Sequence, residues 1–435
     1  MKYDLIIIGS GPAGYVAAIR AGQTGLKTLV IDKQYIGGMC LNWGCIPTKS
    51  LLESARFYRR IIDQAADFGI SGLEPDKLSF DWLKAQKRSQ QIVAKLSRGI
   101  EYLWKKNAVE FLKAEASIVS PTKVKAGNAI YEAKNIVIAT GSRPAKQELF
   151  PKSIEIDELL SAEYLPEKPV LYGRGAIIAE LAQFFSMLGK KPLIVQSDAP
   201  LIPGIDPYLE AFMLKRLKKD KIAILQAADV QVQPDTIKHA DNFYPYDAVI
   251  NCSLRKAVLP GMEIKLATQD GYLQTDDQYR TSEPNIFAAG DVNGRSYLAH
   301  VASYQAISII NSINGINNDI TSHYPINIYT EPEMAQIGLT EPQLRDRGQE
   351  YLSREFGFNA NGKALAEGNS EGFIRLLYEP KYQQVLGVQI AGANATDLIS
   401  EASILMQLEG TVYDLAAAVH AHPTIAEVFM DAARD

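Results

Sequence analysis

Cys40 and Cys45 stand five positions apart in "GGMCLNWGCIPTKSLL" (37–52), in a chain of 435 residues with only one other cysteine, Cys252. Two thiols on one glycine-flanked turn can do redox chemistry, bind a metal or simply fill space. An ideal α-helix separates Cα atoms five residues apart by about 8–9 Å, and a disulfide needs less than about 7 Å. A Cys40–Cys45 bridge therefore requires a distorted turn. Gly37, Gly38 and Gly44 permit one, and Pro47 removes an amide that would demand a helical partner. A helix N-terminus there would also stabilise a thiolate. Zinc wants four ligands, and three cysteines with five histidines supply no second cysteine pair. No metal site is expected. Two small buried hydrophobes remain the bland alternative, and a redox dithiol is favoured by what precedes the pair.

What precedes it is a βαβ unit. "YDLIII" (3–8) is the near-continuous apolar run of a parallel strand buried on both faces. Gly9-Ser-Gly11-Pro12-Ala13-Gly14 follows, then the helical "YVAAIRAGQTG" and the strand "KTLVID", which ends in Asp32. The G-x-G-x-x-G turn lets backbone approach a pyrophosphate, and the acid can hold ribose hydroxyls, so a dinucleotide site is expected here. A second unit begins near 169, "KPVLYGRGAIIAELAQFFSMLGKKPLIVQSD". It keeps Gly173 and Gly175 but carries Ile178 at the third glycine and Gln196 where the acid belongs. "KNIVIATGSRP" (134–144) and "TSEPNIFAAGDVNG" (281–294) each read as a strand ending in a turn, the latter delivering Gly290-Asp291 to a strand's carboxyl end, where open α/β sheets bind ligands.

The bulk numbers agree with a multidomain globular protein: 47% hydrophobic, 22% charged, net charge −5 and pI about 5.7. No global basic field attracts nucleic acid or anionic membrane, and the run "KRLKKDK" (215–221) reads as a solvated helix face. No apolar stretch reaches the roughly 18 residues of a membrane span. The first strand starts at once, leaving no room for a signal peptide, and three cysteines make no secreted disulfide framework. A cytoplasmic protein is expected.

"GGMCLNWGCIPTKSLL" closely resembles the redox-disulfide signature of the class I pyridine nucleotide–disulfide oxidoreductases, and "IPTK" leans toward their dihydrolipoamide dehydrogenase branch. The likeness runs nearly end to end through "ATGSRP", "FAAGDV", "YLAH", "IYTEPEMAQIGLTE" and "VHAHPTIAEVF" (419–429). It implies an α/β fold of two Rossmann-like domains, for FAD and NAD, plus a C-terminal α+β dimerisation domain. The implied parts are 1–144 (FAD), 145–262 (NAD(P)-like), 263–322 (central, completing the FAD site) and 323–435 (interface). A homodimer follows, acting on a small-molecule dithiol or a lipoyl-carrying protein and serving cell redox homeostasis.

Carried over by residue, Cys45 resembles the thiol beside the flavin, with which it forms a charge-transfer pair. Cys40 resembles the interchange thiol that meets substrate. His422 matches the acid–base histidine that reaches the partner subunit's active site, and Glu427 the carboxylate that orients it. An imidazole titrates near neutral pH and can take and return the thiol proton. Lys49 and Glu180 match an ion pair near the flavin. The FAD contacts implied are Gly9, Gly11, Pro12, Ala13, Gly14, Asp32 and Lys33, then Gly38, Met39 and Ala114. Thr140, Gly141, Gly290, Asp291, Leu298, Ala299 and His300 complete them. For NAD they are Gly173, Gly175 and Gln196.

The second unit departs from the pattern. Besides Ile178 and Gln196, the family's Gly-Arg-Arg-Pro stretch appears as Ser253-Leu254-Arg255-Lys256, and 200–250 looks trimmed. No basic pair replaces the missing acid, so a switch to NADP is not indicated, but a weak grip on NAD is. Met39 stands where threonine is usual and Ala114 where glycine is common. Two alternatives stay open: a flavin disulfide oxidoreductase with weak NAD(P) use and another electron partner, or a non-catalytic flavoprotein subunit of a lipoyl-bearing complex. The intact Cys40, Cys45, His422 and Glu427 weigh against the latter. Mercuric reductase is disfavoured by the lack of a C-terminal cysteine pair, and Cys252 reads as structural.

Overall fold

The computed structural model describes residues 2–316 and 323–434. The chain divides into two compact units, each assembled from separated segments: residues 1–54, 79–165 and 254–319, and residues 55–78, 166–253 and 320–435. The boundary expected at 322/323 falls at the edge of 317–322, outside the described residues.

The first unit is built around β1 (Lys2–Ile8), α1 (Pro12–Gln23) and β2 (Thr28–Asp32). The thiols lie on α2 (Gly38–Asn42) and at the start of α3 (Cys45–Gln64), whose residues from 55 onward are counted with the second unit, and α4 (Trp82–Lys106) starts on Asp81, whose side chain accepts the Lys84 N–H. Next come β3 (Glu110–Lys113), β4 (Ala116–Ser120), β5 (Lys123–Ala126) and β6 (Ala129–Ile138), then β7 (Ser142–Pro144) and α5 (Ile156–Ser161). β1 lies between β2 and β6, parallel to both. Leu5, Ile6 and Ile7 are wholly buried, which explains the unbroken apolar run. β3 extends the sheet beyond β2, and Ile286–Ala288 pairs with β6. Along α1 the inward face is Ala17, Ala18 and Ala21, all without exposure. Small side chains let the helix lie close to its neighbours in the core.

In the second unit, β8 (Pro169–Gly173), α6 (Ala176–Met187), β9 (Leu193–Gln196), α7 (Pro207–Lys219) and β10 (Ala223–Gln226) form another nucleotide-binding type of fold. Its parallel sheet has the order β10–β9–β8 and then Ala248–Cys252. The same unit contains a five-stranded antiparallel sheet, from Ile326–Ile328 to Val385–Gly392. The helices Ala395–Gln407 and Glu427–Arg434 belong to this part, and Val428 and Phe429 join its apolar core.

Candidate active site

β1 ends in a turn that only glycine allows. Gly9 sits at φ +103°, and a Cβ there would lie 2.3 Å from the Ala139 carbonyl oxygen. A Cβ on Gly14 would lie 2.0 Å from the Gly9 oxygen, so α1 packs directly onto the turn. Gly11 differs: a Cβ would meet nothing within 4 Å, because that side opens into a cavity of about 500 Å³.

Gly9, Gly11, Pro12, Ala13, Asp32 and Lys33 line this cavity, with Gly38, Met39, Cys40 and Cys45. Ala114, Thr140, Gly141, Gly290, Asp291 and Ala299 complete the expected set found there. Gly14, Lys49, Leu298 and His300 are not among its lining residues; Gly14 is taken up by helix packing, and Leu298 precedes the helix that begins at Ala299.

Asp32 is already held by protein. Its Oδ2 accepts the N–H and Oγ–H of Ser10, both at 2.8 Å, and Oδ1 accepts the Gln34 N–H at 2.9 Å. A carboxylate has about four acceptor sites, so it can still take a ligand hydroxyl. Asp291 is held too: Ser142 Oγ donates to its Oδ2 at 2.5 Å, and Arg255 Nε lies 3.5 Å from the same oxygen. Arg255 also donates to Ser142 Oγ and to the Ser142 carbonyl, each at 2.6 Å. Burial pulls this guanidinium below its ordinary range, and the charge of Asp291 opposes the shift. Tyr297, which lines the cavity, donates its hydroxyl to Tyr272 at 2.7 Å, and Tyr272 donates to the Arg255 carbonyl. Ser10, Ser142, Tyr297 and Arg255 were not singled out as site residues from sequence. Ser142 and Tyr297 lay inside quoted motifs, but only the fold brings them to Asp291.

The residues fit a flavin dinucleotide. The cavity follows a glycine turn, and Thr140 Oγ1 is a buried hydroxyl on its wall with no hydrogen-bond partner among the described residues. A bound polar group would satisfy it.

The thiols straddle a break between helices: α2 ends at Asn42, and α3 begins at Cys45. Trp43, at φ −149°, leaves the helical path. Thr48 Oγ1 donates to the Gly44 carbonyl at 2.7 Å, pinning the break. This is the distortion that the spacing requires. Cys40 shares a hydrogen bond with Cys45; that bond and burial push the Cys40 thiol up, and the charge of Lys49 pulls the other way.

In the second unit His422 Nδ1 and Glu427 Oε1 are 2.9 Å apart, and Glu427 Oε2 accepts the Thr424 N–H at 2.8 Å. That backbone bond and the histidine hold Glu427 below the usual carboxylate range. An ionised Glu427 keeps the proton on Nδ1 and leaves Nε2 as a base. The His422 side chain is 78% exposed. Sequence reasoning passed over a neighbouring pair, His420 Nε2 and Glu401 Oε1 at 2.8 Å.

Gly173 ends β8 at φ +133°, where a Cβ would lie 2.5 Å from the Cys252 carbonyl. Gly175 has nothing within 4 Å of such an atom, so the turn keeps open space beside it. Ser253 Oγ, after the strand neighbouring β8, is buried without a hydrogen-bond partner among the described residues. An open glycine turn with a spare hydroxyl fits a dinucleotide here too. Ile178 is wholly buried in α6. Gln196 is turned inward, 5% exposed. Its Nε2 donates to the Asp198 carbonyl at 2.7 Å, and its Oε1 accepts Gln226 Nε2 at 3.3 Å. Glu180, also buried, accepts the Tyr329 N–H at 3.0 Å.

Residues 3–306 match the pyridine nucleotide-disulphide oxidoreductase family, and residues 324–433 match its dimerisation domain. The chain belongs to the pyridine nucleotide-disulphide oxidoreductases. It is an oxidoreductase of a family that works with FAD and NAD(H). It is 36% identical to a dihydrolipoyl dehydrogenase of Bacillus subtilis, over 98% of this chain and 97% of that protein. To the dihydrolipoyl dehydrogenase of Geobacillus stearothermophilus it is 34% identical, over 100% and 96%. In fold it resembles LpdA of Mycobacterium tuberculosis (TM-score 0.89, 21% identity, 99% of each chain). It also resembles the HOCl-induced flavoprotein disulfide reductase RclA of Escherichia coli (TM-score 0.87, 20% identity, 99% of each). No described helix is long and apolar enough to cross a membrane.

Proposed function

We propose that the chain is a dihydrolipoyl dehydrogenase that oxidises a lipoyl dithiol and delivers its electrons to NAD. The observation that carries this reading is the placing of Cys40 and Cys45 on the wall of a glycine-lined dinucleotide cavity. In the oxidised enzyme Cys40 and Cys45 form a disulfide. A substrate thiolate attacks Cys40 sulfur, the S–S bond breaks, and Cys45 leaves as thiolate. The second substrate thiol, losing its proton to His422 Nε2, attacks the substrate sulfur joined to Cys40. Cyclic disulfide product departs, and Cys40 takes back a proton. FAD, when bound, supplies the two-electron acceptor between the thiols and the nicotinamide. Glu427 keeps His422 in the tautomer that accepts a proton, and Lys49 favours negative charge near Cys40.

His422 is assigned to the thiol pair of a partner subunit in a homodimer, which the dimerisation domain and the exposed imidazole support. The four-part division at 144, 262 and 322, a cytoplasmic location and a lipoyl-carrying protein as physiological donor belong to the same reading. Glu180 is assigned, with Lys49, to the flavin environment. The test is anaerobic mixing of the yellow protein with dihydrolipoamide, then with NAD⁺, following the flavin spectrum. Rapid bleaching by the dithiol and recovery with NAD⁺ are expected. A flavin that the dithiol leaves oxidised sinks the dithiol half, and a reduced flavin that NAD⁺ does not reoxidise sinks the nicotinamide half.

A further inference from the structure

The two glycine turns hold their acids in the same way. In the first, the middle residue is Ser10, and its Oγ donates to Asp32, which closes β2. In the second, the middle residue is Arg174, and its Nη1 donates to Asp198 Oδ2 at 3.1 Å. Asp198 lies two residues beyond Gln196, the end of β9. An arginine reaches several ångströms further than a serine, so the acid it holds can sit further along the chain.

We propose that Asp198 is the ribose-binding and nucleotide-selecting acid of the second unit, with Arg174 and Gln196 as its positioning residues. The inference rests on the reading that this chain uses a pyridine nucleotide. The Asp198 side chain is 70% exposed and that of Arg174 is 20% exposed, so the carboxylate presents itself to solvent from a mostly covered clamp. Asp198 Oδ1 accepts the Ala199 N–H at 2.9 Å, and acceptor sites remain for ribose hydroxyls. Gln196 fixes the backbone beneath, because its amide joins Gln226 on β10 to the Asp198 carbonyl. The residue at the usual acid position thus acts through its neighbour.

The charges set the selectivity. A 2′-phosphate would meet the Asp198 carboxylate, which disfavours NADP. Without that carboxylate, Arg174 becomes an unpaired cation beside the glycine turn and a ready partner for the phosphate.

Titration calorimetry of flavin-loaded protein with NAD⁺ and NADP⁺ tests this. The unmodified protein is expected to bind NAD⁺ more tightly. Asp198→Asn should weaken NAD⁺ about tenfold, or ~1.4 kcal/mol, and tighten NADP⁺, so that the preference reverses. Arg174→Ala should weaken NAD⁺ several-fold while NADP⁺ stays excluded. Gln196→Glu should weaken NAD⁺ as well, since a carboxylate cannot donate to the Asp198 carbonyl. An unchanged NAD⁺/NADP⁺ ratio in Asp198→Asn, at normal flavin content and melting temperature, overturns the proposal and leaves the proposed function standing. Tighter NAD⁺ binding by Gln196→Glu also overturns it, and returns the ribose contact to position 196. If the unmodified protein binds neither nucleotide, both this proposal and the nicotinamide half of the function fall.

Discussion

In the first βαβ unit the third glycine is Gly14, packed against Gly9, and the acid at the strand end faces a cavity lined by the same turn. In the second, Ile178 occupies the corresponding helix position, wholly buried, and the strand end is an inward-facing glutamine. The strand–turn–helix–strand plan is common to both, because it depends on apolar strands and on one glycine where the first strand ends: Gly9 against Ala139 and Gly173 against Cys252. The ligand-facing positions are free to differ, because the fold does not need them. Architecture and ligand chemistry are thus carried by different residues of the same motif.

The largest expected effects fall on the first unit. Cys40→Ser and Cys45→Ser should each abolish dithiol-driven turnover, because neither leaves a disulfide to exchange. Their spectra should differ. Two-electron-reduced Cys40→Ser should keep a long-wavelength charge-transfer band from the Cys45 thiolate, and Cys45→Ser should lack it. A band that survives in Cys45→Ser reverses the two roles.

His422→Ala should slow dithiol oxidation by roughly 10²–10⁴, the usual contribution of a positioned proton-transfer group. If the base serves the partner's thiols, heterodimers of His422→Ala with Cys40→Ser should regain up to half the activity, since one of the two shared sites is intact. Verified heterodimers that stay inactive would place the base and the thiols within one subunit's site.

The fold was legible in the sequence wherever backbone demands a residue type. The buried run at β1, the turns at Gly9 and Gly173 and the need for a break near Gly44 follow from sterics that act locally. The thiols and the first glycine turn were readable for the same reason. The arrangement around Asp291 was not. Ser142, Arg255, Tyr272 and Tyr297 come from four segments, and no local spacing connects them. Gln196 shows a limit of the opposite kind, because its position in the motif suggests a ligand contact and says nothing of its neighbours. Its side chain makes local hydrogen bonds to Gln226 and the Asp198 carbonyl, which spacing cannot reveal.

Alanine substitutions at the glycines sharpen the comparison at a smaller scale. Gly11→Ala adds a methyl group on the open, cavity-facing side, at a relaxed φ of −64°. It should leave the melting temperature of flavin-free protein unchanged while lowering flavin retention. Gly173→Ala drives a Cβ into the Cys252 backbone and should lower melting temperature whether or not nucleotide is present. Equal losses of stability in the two flavin-free variants would show that the first turn is as closed as the second.

The smallest effect expected concerns the third thiol. Cys252 closes the strand beside Gly173, and burial pushes it from an ordinary 9.0 up to about 12. Its thiolate is the nucleophilic form, so at pH 8 it should resist disulfide reagents. Reduced native protein should therefore keep Cys252, which is 2% exposed, unreacted until it unfolds, while Cys40 and Cys45 lie on the cavity wall within reach of reagent. The same shift has a sign in stability. In the unfolded chain Cys252 ionises near 9, while in the fold it stays protonated to about 12. Its contribution is complete below pH 9 and is lost as pH rises through 12, because the unfolded state releases the proton first. Cys252→Ala should accordingly flatten the alkaline fall in stability between pH 9 and the highest pH at which the protein still refolds, beyond any constant cost of the smaller side chain. An identical alkaline slope in the variant, or a Cys252 that reacts in the native protein, would mean that the strand beside Gly173 opens readily. The contrast of an accessible first turn with a sealed second strand would then be lost.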